Sequence, residues 1–387
     1  MQRYLYNQIV NDLKKKMVFL TGPRQVGKTY LARQIMQLFR KPQYLNYDNV
    51  IDAGILKKMS WPADSDLLVF DEIHKMKNWK NYIKGVFDSK PAGQSILVTG
   101  SARLELFRKT GDSLAGRYFN LRLNPVTPDE LTEFSISPAD KLDSVLTFGG
   151  FPEPLTDALE SDRETAINSL RRWENQYYSN VLRNDIMELS RIQELSSMNL
   201  LAEMLRSRTG SPLSSLALSE DLQISPHTVK KYVGILENLY AVFLIKPYNR
   251  NIARSILKEP KVYFYDCARA EGNEGIKLEN LVAVSLLKKV QYMQDVKGLN
   301  VELNYLRTRD GREVDFAIIG DHKIHTLIEV KLSDHKPSQS LAYFSAKFPD
   351  ARAIQIVKNL YREETIGNIE ILNAAERLAD PSFLTDL

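Results

Sequence analysis

Gly22, Gly27, Lys28 and Thr29 stand at the spacing G-x-x-x-x-G-K-[ST], which is the spacing of a loop that wraps phosphate. Each residue type has a physical task there. Glycines let the backbone curl until successive amide N–H groups face one anion, and a helix opening at the end of the loop points its positive end at the same charge. The Lys28 ammonium would neutralise β- and γ-phosphate oxygens, and the Thr29 hydroxyl would ligate Mg2+. Pro23, Arg24, Gln25 and Val26 fill the loop and Tyr30 follows it, so the whole stretch from Gly22 to Tyr30 is the candidate ATP cradle. Further on, DLLVFDE at Asp66 to Glu72 reads as a buried strand ending in two carboxylates. By itself such a pair is often a solvated strand end. Beside a phosphate loop, Asp71 becomes the candidate to hold Mg2+ through water and Glu72 the candidate to polarise the attacking water.

The ends of neighbouring strands supply further polar groups. Thr99 and Ser101, in TGSAR, are candidates to sense the γ-phosphate, with Ser101 preferred. Arg117, in LAGR, stands just before a strand, where a guanidinium could reach a γ-phosphate of its own or of a neighbouring subunit. A surface arginine in a turn is the plainer reading, and Arg103 is the fallback. The string Asp71-Glu72-Ile73-His74 also spells a DExH box. A helicase of that kind needs a second complete RecA-like domain, and nothing beyond Leu123 repeats the strand and helix series.

The last third carries a second constellation. Asp315 and the pair Glu329-x-Lys331 follow the order of a nuclease metal site, and Glu279 lies on a preceding apolar helix. Carboxylates at neighbouring strand ends would hold Mg2+ or Mn2+ against a scissile phosphate, and a lysine two residues on shares their face because strand side chains alternate. Acidic residues and E-x-K strings are common on strands, so a fold kept for binding without cutting competes with this reading. Between the two constellations, Ser225 and Pro226 open a helix whose first turns present His227, Thr228, Lys230 and Lys231. Val229, Val233, Ile235 and Leu236 give it an inner face. A helix-turn-helix offers its groove-reading side chains at that position. Lys246, Arg250, Arg254, Lys258 and Lys261 follow with one acid among them, a stretch suited to DNA phosphates.

The elements that must position these groups can be read from the same sequence. Strand candidates at Met17 to Leu20, Tyr44 to Tyr47, Asp66 to Glu72, Ser95 to Thr99 and Arg117 to Leu123 alternate with helical stretches, which implies a parallel sheet covered on both faces. Helical periodicity dominates from Pro125 to about Ser207, including Arg163 to Met187, where Leu170, Trp173 and Tyr177 form a stripe read as core packing. Two strand-like runs, Tyr240 to Ile245 and Lys261 to Tyr265, are the expected wing of a winged helix. The expected organisation is therefore α/β: a P-loop ATPase core at 1–124, a helical lid at 125–207, a winged helix at 208–266 and a nuclease-like α/β domain at 267–387.

Composition limits the alternatives. A chain of 387 residues, 43% hydrophobic and 26% charged, exceeds one ordinary core, and it holds no run near the roughly 20 apolar residues of a membrane span. The opening MQRYLYNQIVNDLKKK is unlike a secretory signal, and the single cysteine, Cys267, excludes an internal disulfide, so a cytoplasmic protein without membrane contact is expected. The net charge of +4 is too small to name a polyanionic partner unaided.

Taken together, GPRQVGKT, LLVFDEIH, TGSAR, LAGR and GGFPEP at Gly149 to Pro154 resemble the large group of prokaryotic AAA-superfamily ATPases related to STAND and archaeal-type ATPases. The resemblance runs over essentially the whole chain. It implies Glu72 as catalytic base, Ser101 as sensor, Arg117 as arginine finger in a homo-oligomer or within one subunit, and a restriction-endonuclease-like carboxyl-terminal domain. It leaves two functions open: an ATP-regulated protein that binds duplex or branched DNA, and a STAND-like switch that docks a protein.

Overall fold

The computed structural model describes residues 1–100, 114–178, 186, 195–248 and 259–385. Ser101, Arg103, Arg250, Arg254 and Lys258 lie outside the described residues. The chain divides into two compact units, Met1–Asn124 and Pro125–Leu387.

The first unit runs α1 (Tyr6–Leu13), β1 (Met17–Thr21), α2 (Lys28–Met36), β2 (Pro42–Asn46), α3 (Val50–Lys58), β3 (Leu67–Asp71), α4 (Trp79–Ser89), β4 (Ser95–Thr99) and β5 (Tyr118–Arg122). Its strands form one parallel sheet in the order β2-β3-β4-β1-β5. Sequence sorts the strands into place. MVFLT, LLVFD and SILVT are buried at every residue and take the three central positions. PQYLN and YFNLR each bury a single residue and take the edges. Helices on both faces leave the middle of such a sheet no wet side, so only continuous apolar runs belong there.

The register is what matters for chemistry. Leu20 pairs with Thr99, Thr99 with Asp71, and Asp71 with Asn46, so four strands finish level at their carboxyl ends. Open parallel sheets place their ligands at that edge.

In the second unit, α5 (Pro138–Phe148), α6 (Pro152–Glu160) and α7 (Arg163–Gln176) pack around Phe148, Phe151, Leu170, Trp173 and Tyr177. The Trp173 and Tyr177 rings stack with centroids 4.8 Å apart, a core role. Then come α8 (Leu195–Arg206), α9 (Ser215–Leu222) and α10 (Pro226–Asn238). Ser225 caps α10 by accepting from the Thr228 N–H at 3.0 Å, and Pro226 fills the first helical position. The buried face of α10 is Val229, Tyr232, Val233 and Leu236. Tyr232 stands where Ile235 was expected; the 3.6-residue period carries 229, 232, 233 and 236 inward and leaves Ile235 half-buried.

The remaining elements are β6 (Val242–Pro247), β7 (Lys261–Phe264), α11 (Glu274–Asp295), β8 (Val301–Arg307), β9 (Glu313–Gly320), β10 (Lys323–Lys331), α12 (Gln339–Lys347), β11 (Arg352–Val357), β12 (Glu364–Ile366), β13 (Ile369–Asn373) and α13 (Ala374–Ala379). All eight strands join one mixed sheet, β12-β13-β11-β10-β9-β8-β6-β7. The expected wing is thus not a separate hairpin. β6 and β7 do pair antiparallel, but β6 also runs parallel to β8 through Lys246–Asn304 and Pro247–Tyr305. An unpaired strand edge seeks any partner, and local sequence does not say which. Among the described residues, no helix is long and apolar enough to cross a membrane.

Candidate functional site

Loop, helix and strand ends meet in the first unit. Gly22 has φ +148°, and a Cβ there would stand 2.3 Å from the Leu123 carbonyl oxygen, so only glycine fits between loop and β5 exit. Gln25 and Gly27 also take positive φ, at 58° and 97°, and Gly27 caps α2 from the left-handed region. The Lys28 ammonium donates to the carbonyls of Gly22 at 2.9 Å and Pro23 at 2.5 Å, spanning the loop it closes. Pro23 and Val26 are buried, Arg24 is half-buried, and Gln25 and Tyr30 are exposed.

Asp71 ends β3 within reach of three hydroxyls. Thr29 Oγ1 lies 3.3 Å from its Oδ2, Thr99 Oγ1 donates to Oδ1 at 2.6 Å, and the Tyr44 phenol donates to Oδ2. A hydroxyl and a carboxylate this close offer the hard oxygen pair that Mg2+ prefers, so Thr29 and Asp71 fit that ion. Glu72 follows in the left-handed region, φ +54°, a conformation costly for a residue with a side chain and common at working sites. Its own N–H donates to the Thr99 carbonyl at 3.1 Å, which carries the ladder one step past β3. Burial pushes the Glu72 carboxyl above its ordinary range; the Lys28 charge pulls it back and that of Asp71 adds to the rise.

Sequence reading passed over two residues that the structure places here. Tyr44, on the edge strand β2, holds Asp71, and burial together with that carboxylate raises its phenol pKa well above the ordinary value. Arg3 is 3% exposed and donates to the Val26 carbonyl at 2.6 Å and the Asn124 carbonyl at 2.5 Å, tying the loop to the exit of β5. The alternation of PQYLN could have flagged Tyr44. No local signal marks Arg3. Arg117 is not brought to the loop: its carbonyl accepts from the Met17 N–H at the opposite end of β1, and its guanidinium pairs with Asp88 at 2.8 Å. The length of β1, about 13–16 Å, separates it from the phosphate cradle of its own chain. Ser101 lies outside the described residues, whereas Thr99, the other sensor candidate, is committed to Asp71.

In the second unit, Glu279, Asp315, Glu329 and Lys331 come together, along with two residues not anticipated at the site, Lys261 and Glu313. The Lys261 ammonium lies 2.7 Å from Glu313, 3.3 Å from Glu279 and 3.6 Å from Asp315. Lys331 pairs with Glu329 at 2.8 Å, and the Val330 N–H donates to Asp315 at 2.9 Å. Tyr263, two residues after Lys261 and so on the same face of β7, donates to Glu279 at 2.7 Å. Burial, with the Asp315 charge behind it, pushes Glu279 up to about 7 against the pull of Lys261. Burial opposes the charge on Lys261, yet Glu279, Asp315 and Glu313 outweigh it and hold the ammonium protonated. Among the described residues no group of three or more His, Cys, Asp or Glu side chains is arranged to hold a metal ion.

On α10, His227, Lys230 and Lys231 are exposed, while Thr228 is half-buried and shares a 2.8 Å hydrogen bond with Ser225.

Residues 14–132 match the family described as an AAA domain. Residues 139–271 and 274–376 match two domains of unknown function, DUF8612 and DUF4143. An uncharacterized protein of Methanocaldococcus jannaschii is 24% identical over 373 residues, covering 88% of this chain and 80% of that one. Another, of Haemophilus influenzae, is 23% identical over 397 residues and 93% of each chain. Among solved structures, a Walker-type ATPase of Pyrococcus abyssi aligns with a TM-score of 0.43 at 13% identity, over 68% of this chain and 93% of that one. The chain carries an AAA-type P-loop ATPase domain.

Proposed function

We propose that this protein binds ATP with Mg2+ at Gly22 to Tyr30, hydrolyses it with Glu72 as base, and uses its nucleotide state to govern a carboxyl-terminal unit that binds DNA. The observation that carries the reading is Asp71 held level with Thr99 and 3.3 Å from the Thr29 hydroxyl, at the edge where the loop opens. Thr29 and Asp71 would hold Mg2+, which when bound neutralises charge on the phosphates. Lys28 would bind β- and γ-phosphate oxygens, the loop amides would orient them, and Glu72, its basicity raised by burial, would take a proton from water at a carboxylate oxygen. Arg117, paired with Asp88 far from its own loop, keeps one route to a nucleotide, that of a neighbouring copy. Sizing with and without a slowly hydrolysed ATP analogue tests that assembly.

The exposed His227, Lys230 and Lys231 at the opening of α10 support the DNA reading, as a helix-turn-helix would present them. Binding to labelled duplex, branched and single-stranded DNA, measured across salt concentrations, is the test. Reversing Lys230 and Lys231 to Glu is expected to remove binding and flatten the salt slope by roughly two charges. If the unaltered protein retains none of these DNAs at low salt, the DNA reading fails and the STAND-like protein switch replaces it. The pairing of Glu279, Glu313 and Asp315 with a buried ammonium favours a carboxyl-terminal fold that binds without cutting.

A further inference from the structure

We propose that Lys261 is the built-in cation of the carboxyl-terminal carboxylate centre: its ammonium fills the seat a divalent ion would need, so that the centre takes neither Mg2+ nor Mn2+ and cleaves no phosphodiester. This rests on the reading of that unit as a binding fold and is independent of ATP turnover.

The Lys261 side chain is 2% exposed. It starts on β7, an edge strand, and ends among Glu279 of α11 and both Glu313 and Asp315 of β9, which share a strand face two residues apart. The contacts, 2.7 to 3.6 Å, are the separations of ammonium and carboxylate, whereas Mg2+ needs its oxygens at about 2.1 Å in an octahedron. The other acceptors have donors of their own. Tyr263 donates to Glu279 at 2.7 Å, the Val330 amide to Asp315 at 2.9 Å, and Lys331 to Glu329 at 2.8 Å. Glu329 Oε2 is the buried oxygen left without a hydrogen-bond partner in this group, one ligand where a metal needs several. A divalent ion entering here would sit beside a buried positive charge, and expelling that charge would break all three pairs at once.

The test is Mn2+ binding, followed by the loss of its free EPR signal, on the full chain carrying Asp71→Asn so that the nucleotide site is silent. Protein with Lys261 intact is expected to bind no Mn2+ that depends on Asp315. Lys261→Met is expected to gain a Mn2+ site that disappears again when Asp315→Asn is added, while Lys261→Arg, which keeps the charge, gains none. Mn2+ bound by the Lys261 protein and lost with Asp315→Asn overturns the proposal, as does a folded Lys261→Met protein that binds none. Should Lys261→Met fail to fold, the first comparison, which leaves Lys261 untouched, decides alone.

Discussion

Asp71 and Asp315 are both carboxylates near the end of a buried strand, each with a second acid and a lysine close by, yet different groups answer their charges. Around Asp71 the hydrogen-bond donors are the hydroxyls of Thr29, Tyr44 and Thr99, which orient the carboxylate without cancelling it. Around Asp315 an ammonium and an amide do the work, and three neighbouring carboxylates share two lysines. On the two proposals above, similar acids take a metal in one unit and refuse it in the other. What decides is the partner, neutral or charged, that the fold brings to them.

The largest expected difference between the two sites is in turnover. Glu72→Gln is expected to bind ATP while hydrolysing it about 100- to 1000-fold more slowly, and Glu329→Gln to leave steady-state turnover unchanged. Equal turnover in wild type and Glu72→Gln would remove Glu72 as the base. Two glycines extend the comparison to stability. An alanine at Gly22 meets the Leu123 backbone at 2.3 Å, whereas one at Gly210, φ +74°, meets the movable end of Glu279 at 2.9 Å. Urea unfolding should show a loss of ~3 kcal/mol for Gly22→Ala and ~1 kcal/mol for Gly210→Ala; the reverse order would contradict the packing described.

Acid should discriminate the units next. Lys288, buried on α11, lies 2.8 Å from Asp129 and 2.9 Å from Glu130. Burial alone would raise the Asp129 carboxyl, but Lys288 and Lys289 hold it down at about 2, below the ordinary 3.8. Its folded pKa being the lower, the stabilisation is complete above the ordinary value and vanishes as pH falls through about 2. The loss is about 2 kcal/mol, readable from Trp173 fluorescence in a chain with Trp61 and Trp79 changed to Phe, and absent in Asp129→Asn. The smallest effect expected is at Tyr44→Phe, which loses one hydroxyl on Asp71. A three- to tenfold higher Mg2+ requirement, about 1 kcal/mol, should appear with little change in turnover at saturating Mg2+. An unchanged Mg2+ dependence would reduce Tyr44 to packing.

Legibility in the sequence followed the range of the interaction. The parallel sheet could be read because MVFLT, LLVFD and SILVT are apolar throughout, a pattern only a sheet covered on both faces rewards. The loop is a local spacing, and so is the acid pair after an apolar run. Lys261 reads in the sequence as one of a basic stretch for DNA phosphates, yet it is 2% exposed and paired with Glu279, Glu313 and Asp315. Its meeting with Glu313 depends on β7 lying near β9 in a sheet whose order no short window encodes. Arg3 reaches Asn124 across nearly the whole first unit. The expected wing divides the same way: the antiparallel pairing of β6 and β7 is local and is found, while the addition of β6 to β8 is not local and went unread.

That junction has a practical consequence. The family match that begins at residue 274 opens after β7, so a fragment expressed from there would discard two strands of a continuous sheet. It would expose the backbone of β8 as a sticky margin, and it would strip Glu279, Glu313 and Asp315 of the lysine that tames them. Whatever such a truncated piece binds in a test tube, metal included, would describe the fragment and not the intact protein.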